Sequence, residues 1–278
     1  MAGLISGLTS GKLIDVAGKN IWLTEIGTGD PVLYLHGIPD IHGIEAEPMA
    51  FHQALARSCR LIAPAHPGCA ETTDDETLET MDDVVFHYLR VLDALELDRC
   101  AIVGGGIGGW IAAEIAVRHP ERVEKLALIG ATGLMVPGHP IGDLFWYAQA
   151  DDGVRYDGLR DLLFAGPRTE TGLGMIPDAK DDIEREMLKY KVFRFANLIG
   201  FKPPYLYNPR LRSRLDRYTN PALILSGESD SLVPRVHAEA YRDGFADARL
   251  ELIAACGNTL VAEAPEQIAE LITAFLAG

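Results

Sequence analysis

The segment Val103-Gly104-Gly105-Gly106-Ile107-Gly108-Gly109-Trp110 joins a predicted strand directly to a predicted helix. Five of its eight residues are glycine, the residue that permits tight turns and close approach of one backbone to another. The apolar run 100–103 before it is typical of a buried strand, and residues 108–118 after it have helical periodicity. A strand, a glycine-rich turn and a helix in this order indicate an α/β unit.

Short β-branched runs alternate with helical periodicity on both sides of this turn. The predicted strands are 21–26, 32–35, 60–63, 100–103, 123–129, 222–225 and 250–253. The predicted helices are 49–57, 78–95, 108–118, 236–244 and a last helix that begins at Pro265. This alternation predicts a mostly parallel, doubly wound sheet with helices on both faces.

The alternation stops after Gly133 and resumes near residue 216. Residues 135–215 are punctuated by Pro and Gly, contain the acidic helical stretch 181–189, and hold eleven of the 21 aromatic residues. Those aromatic residues are Phe145, Trp146, Tyr147, Tyr156, Phe164, Tyr190, Phe193, Phe195, Phe201, Tyr205 and Tyr207. We therefore predict a core formed by residues 1–134 and 216–278, with an inserted, mainly helical cap at 135–215.

Composition excludes several classes of function. The 278 residues include 40 acidic and 25 basic side chains, for a net charge of −15, so nucleic acid and anionic membranes would repel the chain. No stretch approaches the roughly 20 apolar residues of a membrane span, and the N-terminus lacks the features of a signal peptide. The four cysteines show no C-x-x-C spacing. We expect a cytoplasmic protein with free thiols, no metal, no cofactor and a small-molecule partner.

The glycine turn has two interpretations. Gly104, Gly106 and Gly109 satisfy the G-x-G-x-x-G dinucleotide pattern, which requires an acidic residue about 20 positions further on. The sequence there, Ile129-Gly130-Ala131-Thr132, has no carboxylate, and the turn follows a late strand. Both observations disfavour a dinucleotide site.

The second interpretation is a G-x-S-x-G nucleophile elbow, with Gly104 and Gly108 as the flanking glycines. Further segments match in order: His36-Gly37, His66-Pro67-Gly68, Gly227-Glu228-Ser229-Asp230, and Gly257-Asn258 followed by Glu263-Ala264-Pro265-Glu266. Over essentially its whole length the chain resembles the α/β-hydrolase family. The resemblance implies that family's fold, with the cap between its sixth and seventh core strands.

The resemblance also shows where the catalytic triad departs from the family pattern. Gly106 stands at the nucleophile position and Asn258 at the histidine position, so only the acid, Asp230, remains. Glycine has no nucleophile and asparagine is not a general base near neutral pH, so the acyl-enzyme route should be absent. The backbone N–H groups of Ile38 and Ile107 would still form the oxyanion hole.

Six further residues are candidate substrate-binding positions: His36, Gly37, Asp40, His42, Trp146 and Tyr147. For Asp40 and His42 a solvated or turn-capping role competes with a catalytic one. Asp230 has two possible roles: it accepts an amide hydrogen bond from Asn258, or it acts as a base whose pKa is raised by burial under the cap.

Other residues near the expected site have structural interpretations. His66 is expected to stabilise its turn, and Cys69 and Cys256 to fill the core rather than serve as nucleophiles. Because the elbow needs an unusual backbone conformation, Gly106 is expected to have positive φ.

The sequence thus predicts action on a small, largely apolar, carbonyl-bearing molecule without a serine nucleophile, through lyase, cyclase or isomerase chemistry. A non-catalytic binding protein and a carboxylic-ester hydrolase inactivated by substitution of its Ser and His are the alternatives.

Overall fold

The computed structural model describes residues 11–199 and 205–278, without the side chains of residues 195–199. Phe201 and the side chain of Phe195 lie outside these described residues. One eight-stranded sheet forms the centre of the molecule. Its strands are β1 (Gly11–Val16), β2 (Lys19–Gly27), β3 (Pro31–Leu35), β4 (Arg60–Pro64), β5 (Cys100–Gly105), β6 (Val123–Ile129), β7 (Ala222–Gly227) and β8 (Ala248–Ile253).

The strand order is β1-β2-β4-β3-β5-β6-β7-β8. Strands β3 to β8 run parallel, whereas β2 is antiparallel to both β1 and β4. The predicted mostly parallel sheet is therefore confirmed. Strand β1 was not predicted: only Val16 of its six residues is buried and Leu13 is 51% exposed, so its apolar signal is weak.

Helices cover both faces of the sheet. Those of the core are α1 (Ala50–Leu55), α2 (Met81–Ala94), α3 (Gly106–Arg118), α8 (Arg235–Gly244), α9 (Leu260–Glu263) and α10 (Pro265–Ala277). The alternation of side chains along β3 shows the two layers, because Val32 and Tyr34 pack in one apolar cluster and Leu33 and Leu35 in the other. The predicted doubly wound architecture is confirmed.

Between β6 and β7, where the cap is predicted, the described residues form four α-helices and a 3-10 helix at Arg212–Arg217. The α-helices are α4 (Leu144–Tyr147), α5 (Asp157–Leu163), α6 (Glu170–Met175) and α7 (Asp182–Ile199). A fully buried arginine joins parts of this region. Arg160 donates to the Ile176 carbonyl at 2.6 Å and pairs with Asp157 at 2.8 Å and Asp178 at 2.6 Å. The boundaries at 135 and 215 stay predictions. No helix among the described residues is both long and apolar enough to cross a membrane.

Strand order places the candidate site. The chain moves from β3 to β4 on one side and then returns to β5 on the other, so β3 and β5 are neighbours, with Leu35 in register with Gly104. In open α/β sheets, ligands bind beyond the carboxyl ends of strands at such a reversal. The loop after β3 and the elbow after β5 therefore meet at this edge.

Candidate functional site

The turn between β5 and α3 has the conformation expected of a nucleophile elbow. Gly106 has φ +51°, which confirms the predicted positive φ. A Cβ at Gly104 would lie 2.5 Å from the Gly108 carbonyl oxygen, and a Cβ at Gly108 would lie 2.1 Å from that of Leu35. A Cβ at Gly106 would meet nothing closer than the Cα of Gly37 at 3.8 Å. The flanking glycines are thus required by close packing, whereas space for a side chain exists at Gly106.

Asp230 and Asn258 come together beside this turn. The Asn258 amide nitrogen donates to Asp230 Oδ2 at 2.8 Å and to the Gly130 carbonyl at 3.0 Å, so both of its hydrogens have acceptors. Its Oδ1 lies 3.9 Å from the position that a Cβ of Gly106 would take. Asn258 therefore presents a hydrogen-bond acceptor, and no proton-transfer group, to the nucleophile position.

The carboxylate of Asp230 is held by three donors. Its Oδ1 accepts from the backbone N–H groups of Leu232 at 3.0 Å and Val233 at 2.8 Å, while Oδ2 accepts from Asn258. Burial raises the pKa of Asp230 to about 7, although these hydrogen bonds act in the opposite direction. The structure thus shows the amide contact; the general-base role stays a prediction.

A largely apolar cavity lies above Gly106. Its walls are the loop 37–40, the elbow 105–107, residues 258–261, Ile129, Thr132 and Leu232, with Leu144, Leu163 and Leu206 from the region between β6 and β7. Within the described residues, the N–H groups of Ile38 and Ile107 donate to no protein acceptor. Both residues line the cavity. Their role as oxyanion donors stays a prediction that this placement supports.

Asp40 anchors the loop that carries Ile38. It accepts hydrogen bonds from the Tyr34 hydroxyl, from Gly37 N–H at 3.2 Å and from Ile41 N–H at 2.7 Å. The Nε2 of His52 lies 3.2 Å from its Oδ1. Burial raises the pKa of Asp40, but the charge and hydrogen bond of His52 and the bond from Tyr34 outweigh it and hold the pKa below the usual value. Asp40 is 2% exposed, so it caps a buried turn at the edge of the cavity and is not solvated.

The histidines predicted as substrate-binding residues are placed elsewhere. His36 Nε2 accepts from His66 N–H at 3.0 Å, and His66 Nε2 donates to the His36 carbonyl at 2.8 Å. His42 Nε2 donates to the Ala63 carbonyl at 3.1 Å. Burial lowers the pKa of His66 to about 3 and of His42 to about 4, and that of His36 well below its usual value. Neither His36 nor His42 lines the cavity. As neutral rings they connect the loop after β3 to other segments, His36 to the loop after β4 and His42 to strand β4 itself.

Trp146 and Tyr147 also lie outside the cavity. Leu144 is fully buried and lines it, whereas Trp146 is 73% and Tyr147 42% exposed. Helical geometry explains Trp146, because a residue two positions along α4 points away from the face that carries Leu144. Tyr147, three positions along, lies nearer that face but does not line the cavity. Trp146 lines a separate groove of about 590 Å³, which shares Leu144 and Leu206 with the cavity. Among the residues whose side chains the structure describes, leucines and not the aromatic residues of the cap line the candidate site.

Two threonines at the cavity were not predicted. Thr132 and Thr259 are each 3% exposed and line the cavity, and their hydroxyls have no hydrogen-bond partner among the described residues. A buried hydroxyl without a partner is costly unless water or ligand satisfies it. Thr132 follows β6 at the carboxyl edge of the sheet, and Thr259 follows Asn258. These positions, directly after a strand and directly after Asn258, are the sequence signal that could have identified the two threonines as site residues.

The cysteines give no alternative nucleophile. Cys59, Cys69, Cys100 and Cys256 are all buried and free of disulfides. Burial raises the pKa of the Cys69 thiol to about 12 and that of Cys256 to about 11, so neither forms thiolate near neutral pH. No group of three potential metal ligands is found within residues 11–199 and 205–278.

Comparison with known proteins identifies the same fold that the structure shows. The alpha/beta hydrolase fold family profile matches residues 30–265. The chain is 28% identical over 274 residues to 2-hydroxymuconate semialdehyde hydrolase of Pseudomonas sp. (strain CF600), covering 96% of this chain and 94% of that protein. It is 28% identical to 2-hydroxy-6-oxo-6-phenylhexa-2,4-dienoate hydrolase of Comamonas testosteroni, covering 99% of each.

A solved structure shares the fold. The meta-cleavage product hydrolase from Pseudomonas fluorescens IP01 superposes with a TM-score of 0.77 at 22% identity, covering 96% of this chain and 97% of that one.

Proposed function

Because the chain belongs to the alpha/beta hydrolase family, we propose that it binds a small, largely apolar carbonyl compound and acts on it without a covalent acyl-enzyme intermediate. Relatives named as hydrolases of 2-hydroxymuconate semialdehyde and of 2-hydroxy-6-oxo-6-phenylhexa-2,4-dienoate support this class of ligand. The leucine-lined cavity supports its apolar character.

One observation carries the proposal. At the nucleophile position there is a glycine, and the group facing it is the amide oxygen of Asn258, 3.9 Å from the position of a Cβ at Gly106. An amide oxygen neither attacks a carbonyl carbon effectively nor removes a proton near neutral pH. Reactions that proceed through a covalent ester on the protein therefore lack both their nucleophile and their base.

The remaining groups suit a polarised carbonyl. A ligand carbonyl oxygen would accept from the N–H groups of Ile38 and Ile107, and an oxyanion donor of this type contributes roughly 3 kcal/mol in the transition state. A hydroxyl or N–H of the ligand would donate to Asn258 Oδ1. The hydroxyls of Thr132 and Thr259 would satisfy a further polar group. Lyase, cyclase and isomerase reactions that build charge on a carbonyl oxygen use such an arrangement.

Binding without turnover is the second candidate, and one observation favours it. Among the described residues that line the cavity, Asp40 is the only one with an acidic or basic side chain. Its oxygens already contact Tyr34, Gly37, Ile41 and His52. The cavity therefore presents no uncommitted general base, which is what a receptor site would have.

Two measurements test the proposal. A fluorophosphonate probe should leave the protein unlabelled, because no activated hydroxyl faces the oxyanion donors; stoichiometric labelling would contradict it. In NMR titrations with acetophenone and methyl benzoate, the amide signals of Ile38 and Ile107 should shift together, whereas those of residues in β1 should not. If no apolar carbonyl compound moves these two signals, the proposed ligand class is wrong. If the bound compound is recovered unchanged, the protein is a receptor; if it is recovered as a product, the protein is an enzyme.

A further inference from the structure

The outer face of α7 carries an exposed apolar stripe. Ile183, Met187 and Tyr190 are 72%, 57% and 60% exposed, and their spacing of four and three residues places them on one side of the helix. Val192, on the opposite side, is buried at 1%. Isolated exposed apolar residues are ordinary, but a stripe with helical spacing is typical of a contact surface. We name Ile183, Glu184, Met187, Tyr190 and Lys191 the α7 face.

Two opposite charges border this stripe on the same side. Glu184 and Lys191 are seven residues apart, two helical turns, and both are exposed. The Glu184 carboxylate accepts a hydrogen bond from the backbone N–H of Lys180 at 2.9 Å and lies 3.4 Å from the Nζ of the same lysine, whose side chain is 84% exposed. Within the described part of the chain, Lys191 has no carboxylate partner. The border of the stripe therefore offers one negative and one uncompensated positive charge.

A groove of about 240 Å³ runs beside the stripe. Met187, Glu184 and Lys191 form one wall, while Ile44, Met175 and Pro177 contribute to the other. The groove extends the contact area beyond three side chains, which matters because a specific protein interface needs about 1,000 Å² in total.

We infer that the α7 face binds the same face of a second copy of this chain, as an antiparallel helix pair about a two-fold axis at Met187. The symmetry sets Met187 against the partner's Met187 and Ile183 against the partner's Tyr190. It also brings Glu184 to the partner's Lys191, and this ion pair forms twice. A parallel pairing would instead oppose Glu184 to the partner's Glu184.

The charge of the whole molecule agrees with this choice of surface. At a net charge of −15, two copies repel each other over most of their surface, so self-association requires a patch whose charge is balanced. The α7 face has one acidic and one basic residue. A second pair of opposite charges stands beside it, because the Arg194 guanidinium lies 5.3 Å from the centre of the Tyr190 ring and the exposed Glu186 precedes Met187, so the patch stays balanced. Its apolar centre would be removed from water by a contact of this geometry, which favours association.

Sedimentation of the full chain tests the inference. Across 1–50 µM the protein should approach twice the 30.2 kDa of one chain. Met187→Glu places two carboxylates on the axis and should return it to one chain. The matched control is Phe86→Glu, at an apolar α2 residue that is 51% exposed, and it should leave the dimer intact. Circular dichroism and unfolding midpoints confirm that each variant is folded.

A charge exchange and a cross-link test the geometry itself. Lys191→Glu should raise the dimer dissociation constant at least tenfold, and adding Glu184→Lys to it should restore most of the loss. Because the native cysteines are buried, Met187→Cys with a short bis-maleimide should give a covalent dimer, whereas Phe86→Cys should not.

Three results would overturn the inference. One is a mass of 30.2 kDa at every concentration, and another is a dimer that survives Met187→Glu. The third is a monomer that floats with phosphatidylglycerol vesicles through the same residues, which would assign the α7 face to a lipid surface.

Discussion

Replacing Gly106 by Ser and Asn258 by His should rebuild a working triad if the rest of the site is arranged for acyl transfer. A Cβ at Gly106 would lie 3.8 Å from Gly37 Cα and 3.9 Å from Asn258 Oδ1, both ordinary contact distances. The cost of Gly106→Ser is then backbone strain at φ +51°, about 1–2 kcal/mol. We expect the unfolding midpoint to fall by about 2–5 °C.

At position 258 an imidazole nitrogen would take the place of the amide nitrogen that lies 2.8 Å from Asp230. The hydrogen bond to Gly130, 3.0 Å long, would be lost at a cost of about 1 kcal/mol. Loss of the serine or the histidine removes roughly 10⁶ in kcat from comparable hydrolases, because triad members act as a unit. Each single variant should therefore stay at background, and the double variant should exceed both by at least about 100-fold.

The assay is hydrolysis of 4-nitrophenyl acetate by wild type, both single variants and the double variant, with fluorophosphonate labelling and unfolding curves alongside. The control combines Asn258→His with Gly105→Ser, which places a hydroxyl one residue earlier, where φ is −99°; it should be inactive. A double variant that folds but neither turns over ester nor reacts with the probe would refute the reasoning. The cavity would then be shaped for other chemistry than acyl transfer.

Three further predictions concern the carboxylates and the cap. Since the folded pKa of Asp230 is raised to about 7 from 3.8, its contribution to the free energy of unfolding is greatest at low pH and is lost as pH rises. The buried neutral histidines act in the opposite direction in both proteins, so urea unfolding compares wild type with Asp230→Asn: between pH 5 and pH 8 the free energy of unfolding of wild type relative to the variant should fall by about 3 kcal/mol. A difference between the two proteins that is the same at both pH values would contradict the raised pKa. Asp40→Asn should weaken acetophenone binding at least tenfold while leaving the sheet folded, because the loop that carries Ile38 loses the carboxylate that anchors it. Unchanged affinity in calorimetry would show that the loop keeps its conformation without this carboxylate. Deleting residues 135–205, which keeps the fully buried Leu211 and Leu215 of the core, should abolish this binding without unfolding the sheet. Undiminished affinity would exclude Leu144 and Leu163 from the site.

Much of the architecture could be predicted from local pattern. Apolar runs and helical spacing located seven of the eight strands and five of the six core helices near their observed bounds, because burial imposes those periodicities on the sequence. The four-residue α9 is too short to show a helical period. The elbow could also be predicted from the sequence. Positions 104 and 108 must be glycine, because a Cβ there would lie 2.5 Å or less from a backbone carbonyl oxygen. Gly106 and Asn258 were identified as departures because the surrounding motifs keep their order.

The direction in which a side chain points and the groups that it contacts could be learned only from the tertiary structure. The order of residues along α4 does not state which face meets the core, so Trp146 and Tyr147 were chosen for their chemistry although Leu144 faces the cavity. The sequence does not show whether the imidazoles of His36 and His42 bind a substrate or connect segments of the chain. Only their contacts with residues about 20 to 30 positions away distinguish the substrate-binding role from the structural one. Thr132 and Thr259 became candidates because their buried hydroxyls line the cavity and have no partner among the described residues, and that is a property of the folded chain. Periodicity records which residues are buried, whereas the contacts that give a buried residue its role are made between segments distant in sequence.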